Sequence, residues 1–168
     1  MAAGSRRAAG LLVAAAVLPL TGCGGSSGDG AETTASTAAA VEAARAYQRA
    51  SLHRDWRAVC EGMTERLRRR IDAKTLDECV QIIGTPGIGD HRDARMSTGT
   101  AFDVEAFGDH PAGTGLRVTV DDGPGRVAHT ALRLVPGKAG AWLVDQAVNL
   151  PSPGGTGPTA VRDALRRK

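Results

Sequence analysis

Residues 116–150 read LRVTVDDGPGRVAHTALRLVPGKAGAWLVDQAVNL, and the period of that stretch decides the fold. Leu116, Val118 and Val120 alternate with Arg117, Thr119 and Asp121, the period of two expected of a strand with one wet face. Asp121-Asp122-Gly123-Pro124-Gly125 is turn chemistry. Arg126 to Val135 then reads as a strand, Pro136 to Gly140 as a turn, and Ala141 to Leu150 as the last strand, with Trp142, Val144 and Val148 expected on one side. Just upstream, Phe102, Val104 and Ala106 alternate with Asp103 and Glu105. Strands joined by short turns predict an antiparallel meander.

The preceding segment has a helical period. Val41, Ala44, Tyr47 and Leu52 fall near one face, with Glu42, Arg45 and Arg49 elsewhere. A second helix is expected from Asp55 as N-cap, with Trp56, Val59, Cys60 and Met63 forming an apolar stripe that Leu67 and Ile71 continue. Thr75-Leu76-Asp77-Glu78 has the form of a capping box. It opens a short helix bearing Leu76, Cys79, Val80 and Ile83, stopped by Gly84 with Pro86 beyond. Helices first and strands after is an α+β order.

The amino terminus has a different character. Met1 to Arg7 carries two arginines and no acid, and Ala8 to Leu20 is apolar apart from Gly10 and Pro19. That run falls short of the roughly 20 residues a membrane-spanning helix needs, so residues 1–22 read as a signal peptide. Leu20-Thr21-Gly22-Cys23 resembles the lipobox of bacterial lipoproteins. The resemblance implies cleavage before Cys23, a diacylglycerol on its thiol, and an address on the outer face of the cytoplasmic membrane. An ordinary secretory signal is the alternative. One acyl chain anchors only marginally, whereas two or three hold a protein stably.

The chain has 21 Lys+Arg and 18 Asp+Glu; without Arg6 and Arg7 the balance is 19 to 18. A nearly neutral mature protein lacks the basic, aromatic-flanked patch of a nucleic-acid binder. Residues 23–40 are dominated by Gly, Ser, Ala and Thr and are expected to form a lipidated flexible tether. Seventeen such residues, 24–40, span roughly 20–25 Å. Residues 41–150 form one domain of ordinary size. Residues 151–168, with Arg162, Arg166, Arg167 and Lys168, are expected to be a flexible basic tail.

With Cys23 assigned to lipid, Cys60 and Cys79 remain, one on each of two expected helices. Outside the cytoplasm such a pair is expected to oxidise; two unpaired core thiols are the other reading. Neither cysteine has a second cysteine or a histidine at metal-ligand spacing.

Val41-Glu42-Ala43-Ala44-Arg45-Ala46-Tyr47 followed by His53-Arg54-Asp55-Trp56-Arg57-Ala58-Val59-Cys60 resembles the opening of the nuclear transport factor 2-like superfamily. Its members begin with a helix, a Gly/Asp-Trp/Phe-type corner and a second helix. They close with a strand like Ala141-Trp142-Leu143-Val144-Asp145. The resemblance covers residues 41–150 and implies a cone, with helices packed across a strongly curved antiparallel meander and a pocket inside. It also implies a cysteine pair joining the second and third helices. One departure is Arg54, where a small residue is usual.

That fold hosts isomerases, dehydratases and cyclases as well as modules without chemistry, so function has to be argued from the site. Tyr47, His129 and Trp142 are the candidate ligand pocket. Tyr47 also fits the apolar stripe as a core residue. His129 and Arg133 share strand parity with Val127, Ala131 and Val135, yet Leu132 and Leu134 claim the opposite face, which turns His129 outward. Asp145 is expected to be solvated. Asp90, His91 and Asp93 read as a surface loop, and His53 and His110 flank a turn and a proline with nothing to pair with. Gly84-Thr85-Pro86-Gly87-Ile88-Gly89 follows a helix and lacks the residues of a phosphate cradle. Ser51 and Ser97 have no activating histidine and acid in arrangement.

No catalytic residue, cofactor or metal ligand is therefore expected. The leading expectation is a membrane-anchored, non-catalytic module for an envelope protein or a small apolar ligand. The alternative is an isomerase, dehydratase or cyclase acting in the cone pocket.

Overall fold

The structure, a computed structural model, describes residues 28–84, 91, 93–151 and 155–167, with side-chain surroundings in the first helix from residue 36 onward. The expected signal peptide, Cys23 and most of the Gly84–Gly89 run lie outside the described residues. The fold is α+β, with a five-stranded antiparallel open sheet and several helices.

Four helices come first: α1 (Gly28–Leu52), α2 (Trp56–Glu61), α3 (Glu65–Arg70) and α4 (Leu76–Ile83). Local caps start α2, α3 and α4, and because α3 begins anew at Thr64 the single stripe expected from Asp55 through Leu67 and Ile71 is split in two. Asp55 caps α2 by accepting from the Ala58 amide at 3.1 Å, and Thr64 caps α3 by accepting from the Leu67 amide at 3.1 Å. The capping box of α4 is complete: Glu78 N donates to Thr75 Oγ1, and the Glu78 carboxylate accepts from the Thr75 amide. Cys60 and Cys79 are disulfide-bonded with Cα atoms 6.1 Å apart, joining α2 to α4. Around the bridge pack Val59, Met63, Ala73 and the flanks of Trp56, Leu76 and Ile83.

Helix α1 corrects the expected tether. It starts at Gly28, so residues 28–40 are helical, and Ala40 and Ala44 are wholly buried. Alanine, abundant in this stretch, is the strongest helix former, and the small side chains of Ala40 and Ala44 let α1 lie close to the sheet.

The strands are β1 (Arg95–Thr98), β2 (Phe102–Val104), β3 (Gly113–Asp121), β4 (Val127–Pro136) and β5 (Trp142–Leu150). From β2 onward they form the expected meander, while β1 and β2 lie in tandem along one edge of β3. The sheet carries a helix on each face. Ala40 and Ala44 of α1 pack with Leu116, Val118, Leu132, Leu134 and Val144. On the other face α5 (Pro158–Leu165) sets Val161, Ala164 and Leu165 against Val104, Ala131 and Leu150. Gly115 of β3 permits this approach, because a Cβ there would lie 2.6 Å from Val104 Cγ1.

Helix α5 corrects the expected flexible tail. Proline at its start is preorganised for a helix, and Val161, Ala164 and Leu165 repeat at the spacing of one apolar stripe. The folded body therefore extends beyond residues 41–150 on both sides. A second correction concerns β5. Arg133 pairs with Gln146 but Leu134 pairs with Val144, which leaves Asp145 as an extra residue. Such a bulge reverses the side-chain alternation. Val144 therefore joins the α1 face while Val148 and Leu150 join the α5 face, instead of Val148 sharing a side with Trp142.

Candidate functional site

The three residues expected to form a pocket are not brought together. Tyr47 is packed between the α1–sheet core and the disulfide-centred cluster, and burial pushes its phenol up to about 12. Trp142 also packs against the α1 side. It borders an open groove of about 460 Å³ shared with Ser36, Ala112, Gly113 and Pro136. His129 shares the face of Ala131, against α5, and its Nδ1 lies 3.0 Å from Thr119 Oγ1. The sheet thus separates His129 from Tyr47.

The polar residues that do converge are ones the sequence reading set aside. Asp145 is 2% exposed and His110 is 4% exposed; the first was expected to be solvated and the second to have nothing to pair with. The Asp145 bulge sits where Gly62, Met63 and Thr64 run parallel to β5: Thr64 N donates to Val144 O at 2.9 Å, and Val144 N donates to Gly62 O at 2.8 Å. Its carboxylate accepts from Thr64 Oγ1 at 3.1 Å, pairs with the Arg66 guanidinium, and lies 3.0 Å from His110 Nδ1. A tight turn presents the histidine, with Phe107 and His110 exchanging backbone hydrogen bonds around Gly108 at φ 61°. Arg66 also donates to the Asp109 carbonyl, which ties α3 to that turn.

The geometry fixes the protonation of His110. Nδ1 donates to the Asp145 carboxylate, and Nε2, 3.3 Å from Arg70 Nη1, accepts from that guanidinium. The ring is neutral in this arrangement. Burial lowers the His110 pKa below the usual 6.5, Arg66 lowers it further, and Asp109 opposes them. An acid that orients an imidazole is also how a general base is prepared. Here Nε2 is occupied by Arg70, so the dyad acts as a clamp between α3, the 107–110 turn and β5.

Arg133 is a further buried charge among the described residues, at 1% exposure. Its Nη1 donates to the carbonyls of Glu105 and Pro111, both at 2.8 Å, its Nη2 to Leu165 O at 3.1 Å, and its Nε to Gln146 Oε1 at 3.4 Å. Gln146 in turn donates to Arg167 O at 3.5 Å. Burial lowers the pKa of Arg133, as does the nearby Arg66. The sequence did carry a signal for this residue, since Arg133 stands alone inside the apolar run Ala131 to Val135.

Of the loop residues, Asp90 lies outside the described residues. His91 pairs with Asp122 at 2.7 Å, and Asp93 is exposed. Among the described residues no three His, Cys, Asp or Glu side chains are grouped to hold a metal ion, and no helix is long and apolar enough to cross a membrane. No protein-family model, curated protein or solved structure matches the chain.

Proposed function

We propose that the chain is an exported bacterial lipoprotein, held on the outer face of the cytoplasmic membrane by lipid on Cys23. Its body serves there as a non-catalytic binding module for an envelope protein or a small apolar ligand. The observation that carries this reading is Leu20-Thr21-Gly22-Cys23 placed directly behind a basic start and a short apolar run. The Cys60–Cys79 bridge supports it, because structural disulfides persist where the medium is oxidising. The groove beside Trp142, at about 460 Å³, is within the ~300–1,000 Å³ range of small-molecule sites. For the finer fold we propose the nuclear transport factor 2-like cone. The α1 packing on a meander sheet and the bulge at Asp145 support that assignment, since a bulge bends its strand.

An isomerase, dehydratase or cyclase using Tyr47 with His129 is the weaker reading, because the two lie on opposite faces of the sheet.

Intact mass and membrane fractionation test the anchoring. The mature wild-type protein should lack residues 1–22, carry a lipid-sized increment and sediment with membranes, and Cys23→Ala should release it. A Cys23→Ala protein that stays membrane-bound as tightly as wild type sinks the reading.

A further inference from the structure

We propose that the cavity between β2, β4 and α5 is a binding site for one small oxyanion, a carboxylate or a phosphate, received by Arg133. The cavity is about 200 Å³, and Arg133, Arg162 and Arg166 line it together with Asp103 and Glu105.

Three observations carry this. First, Arg133 is a buried cation with no carboxylate paired to it among the described residues. Its hydrogen bonds end on three backbone carbonyls and one side-chain amide. Those neutral partners orient the guanidinium without cancelling its charge, and a buried charge without a counter-charge is strongly disfavoured. They also use four of its five N–H groups, which leaves one Nη2–H for a ligand. Second, α5 and its C-cap bring two more guanidinium groups to the same cavity. Arg162 is held over the Phe102 ring, 4.4 Å from its centroid. Among the described residues Arg166 pairs with Glu105 alone, at 3.6 Å, and that carboxylate is 89% exposed. An exposed pair of this kind is weak, so Arg166 is free to turn to an incoming anion. Third, size and rim charge select the ligand. The volume is below that of sites for drug-sized molecules, and Asp103 and Glu105 at the solvent edge repel extended polyanions. A compact anion carrying one acidic group satisfies both conditions. Arginine suits it, because the planar fork matches carboxylate and phosphate oxygens.

The site is independent of the proposed anchoring, and its test does not depend on lipid. Acetate and, separately, inorganic phosphate are titrated into the full chain in detergent at constant ionic strength, with chloride as the balancing salt. Arginine side-chain NMR signals and Tm are followed. The expected result is a saturable shift of the Arg133 signals and a Tm above that in chloride. The preferred of the two anions identifies the ligand class. Arg162→Gln combined with Arg166→Gln should weaken binding ~10-fold or more, the weight of a charge-assisted hydrogen bond. Arg57→Gln, on α2, paired with Asp77 and outside the cavity lining, should leave affinity unchanged while removing the same kind of charge. Arg133→Gln should abolish saturation; if that variant does not fold, the Arg162/Arg166 double variant decides. A non-saturating response to both anions overturns the proposal. So does an equal response in wild type and the double variant.

Discussion

The two faces of the sheet are built on different principles. Against α1, Leu116, Val118, Leu132, Leu134 and Val144 meet Ala40 and Ala44, and specificity comes from shape. Against α5, apolar contacts share the space with Arg133 and Gln146, whose hydrogen bonds reach the carbonyls of Leu165 and Arg167. At the corner between them, Asp145 joins α3 to the 107–110 turn through Arg66 and His110. An apolar face loses stability in proportion to the atoms removed. A charged cluster loses it abruptly when one partner goes, because the remaining charge stays buried.

The largest effect should therefore come from Asp145→Ala, which strands Arg66 and His110. We expect a loss of about 3–5 kcal/mol, against about 2–5 kcal/mol for Leu132→Ala on the apolar face. Urea denaturation of both variants compares them. If Asp145→Ala costs less than 1 kcal/mol, the corner is not the clamp described above. Replacing Cys60 and Cys79 together by alanine should cost about 3 kcal/mol, read from the same experiment. Because the bridge belongs wholly to α2 and α4, protease protection of α5 should persist in that variant under native conditions. Loss of protection at both ends together would show that the two faces are not separable.

Acidity should distinguish the faces next. His110 has a pKa lowered by burial and by Arg66, so the unfolded chain binds its proton first. Stability from this group is complete above about pH 6.5 and is lost as pH falls from there through the lower folded value. The slope can reach about 1.4 kcal/mol per pH unit. A His110→Asn variant should flatten that part of the stability–pH curve, while Leu132→Ala should lower the curve without flattening it. The smallest effect should come from Arg54. Its φ of 59° costs a non-glycine residue about 1–2 kcal/mol. After allowing for the freer unfolded chain, Arg54→Gly should raise stability by about 0.5–1 kcal/mol. A lower Tm for that variant would contradict this account of the corner.

The starts of α2 and α4 and the meander from β2 onward were legible because each depends on near neighbours, whereas β1 and the separate start of α3 were not foreseen. Asp55, Thr75 with Glu78, and the turn at Asp121–Gly125 act within a few residues of themselves, and the two helical cysteines needed only an oxidising setting. The burial of His110, Arg133 and Asp145 was not legible, because it follows from features that act at a distance. One is the extra residue in β5, which no alternation pattern announces. Another is α5, whose stripe of Val161, Ala164 and Leu165 was present but was outweighed by the surrounding arginines. Once α5 is taken for a free tail, the Arg133 face is assigned to water, and every polar residue on it is misplaced together. The alanines of α1 misled for a related reason: small side chains read as spacer even when they mark close contact.

The clip between Thr64 and the Val144–Asp145 bulge joins positions 81 residues apart in the chain. Contacts of that separation close late, since the intervening chain must first be ordered. A polypeptide emerging amino end first presents α1 to α4 long before β5 exists to receive them. The corner that holds the protein shut is therefore assembled only after nearly the whole chain has appeared. Until then the helices have no complete sheet to rest on.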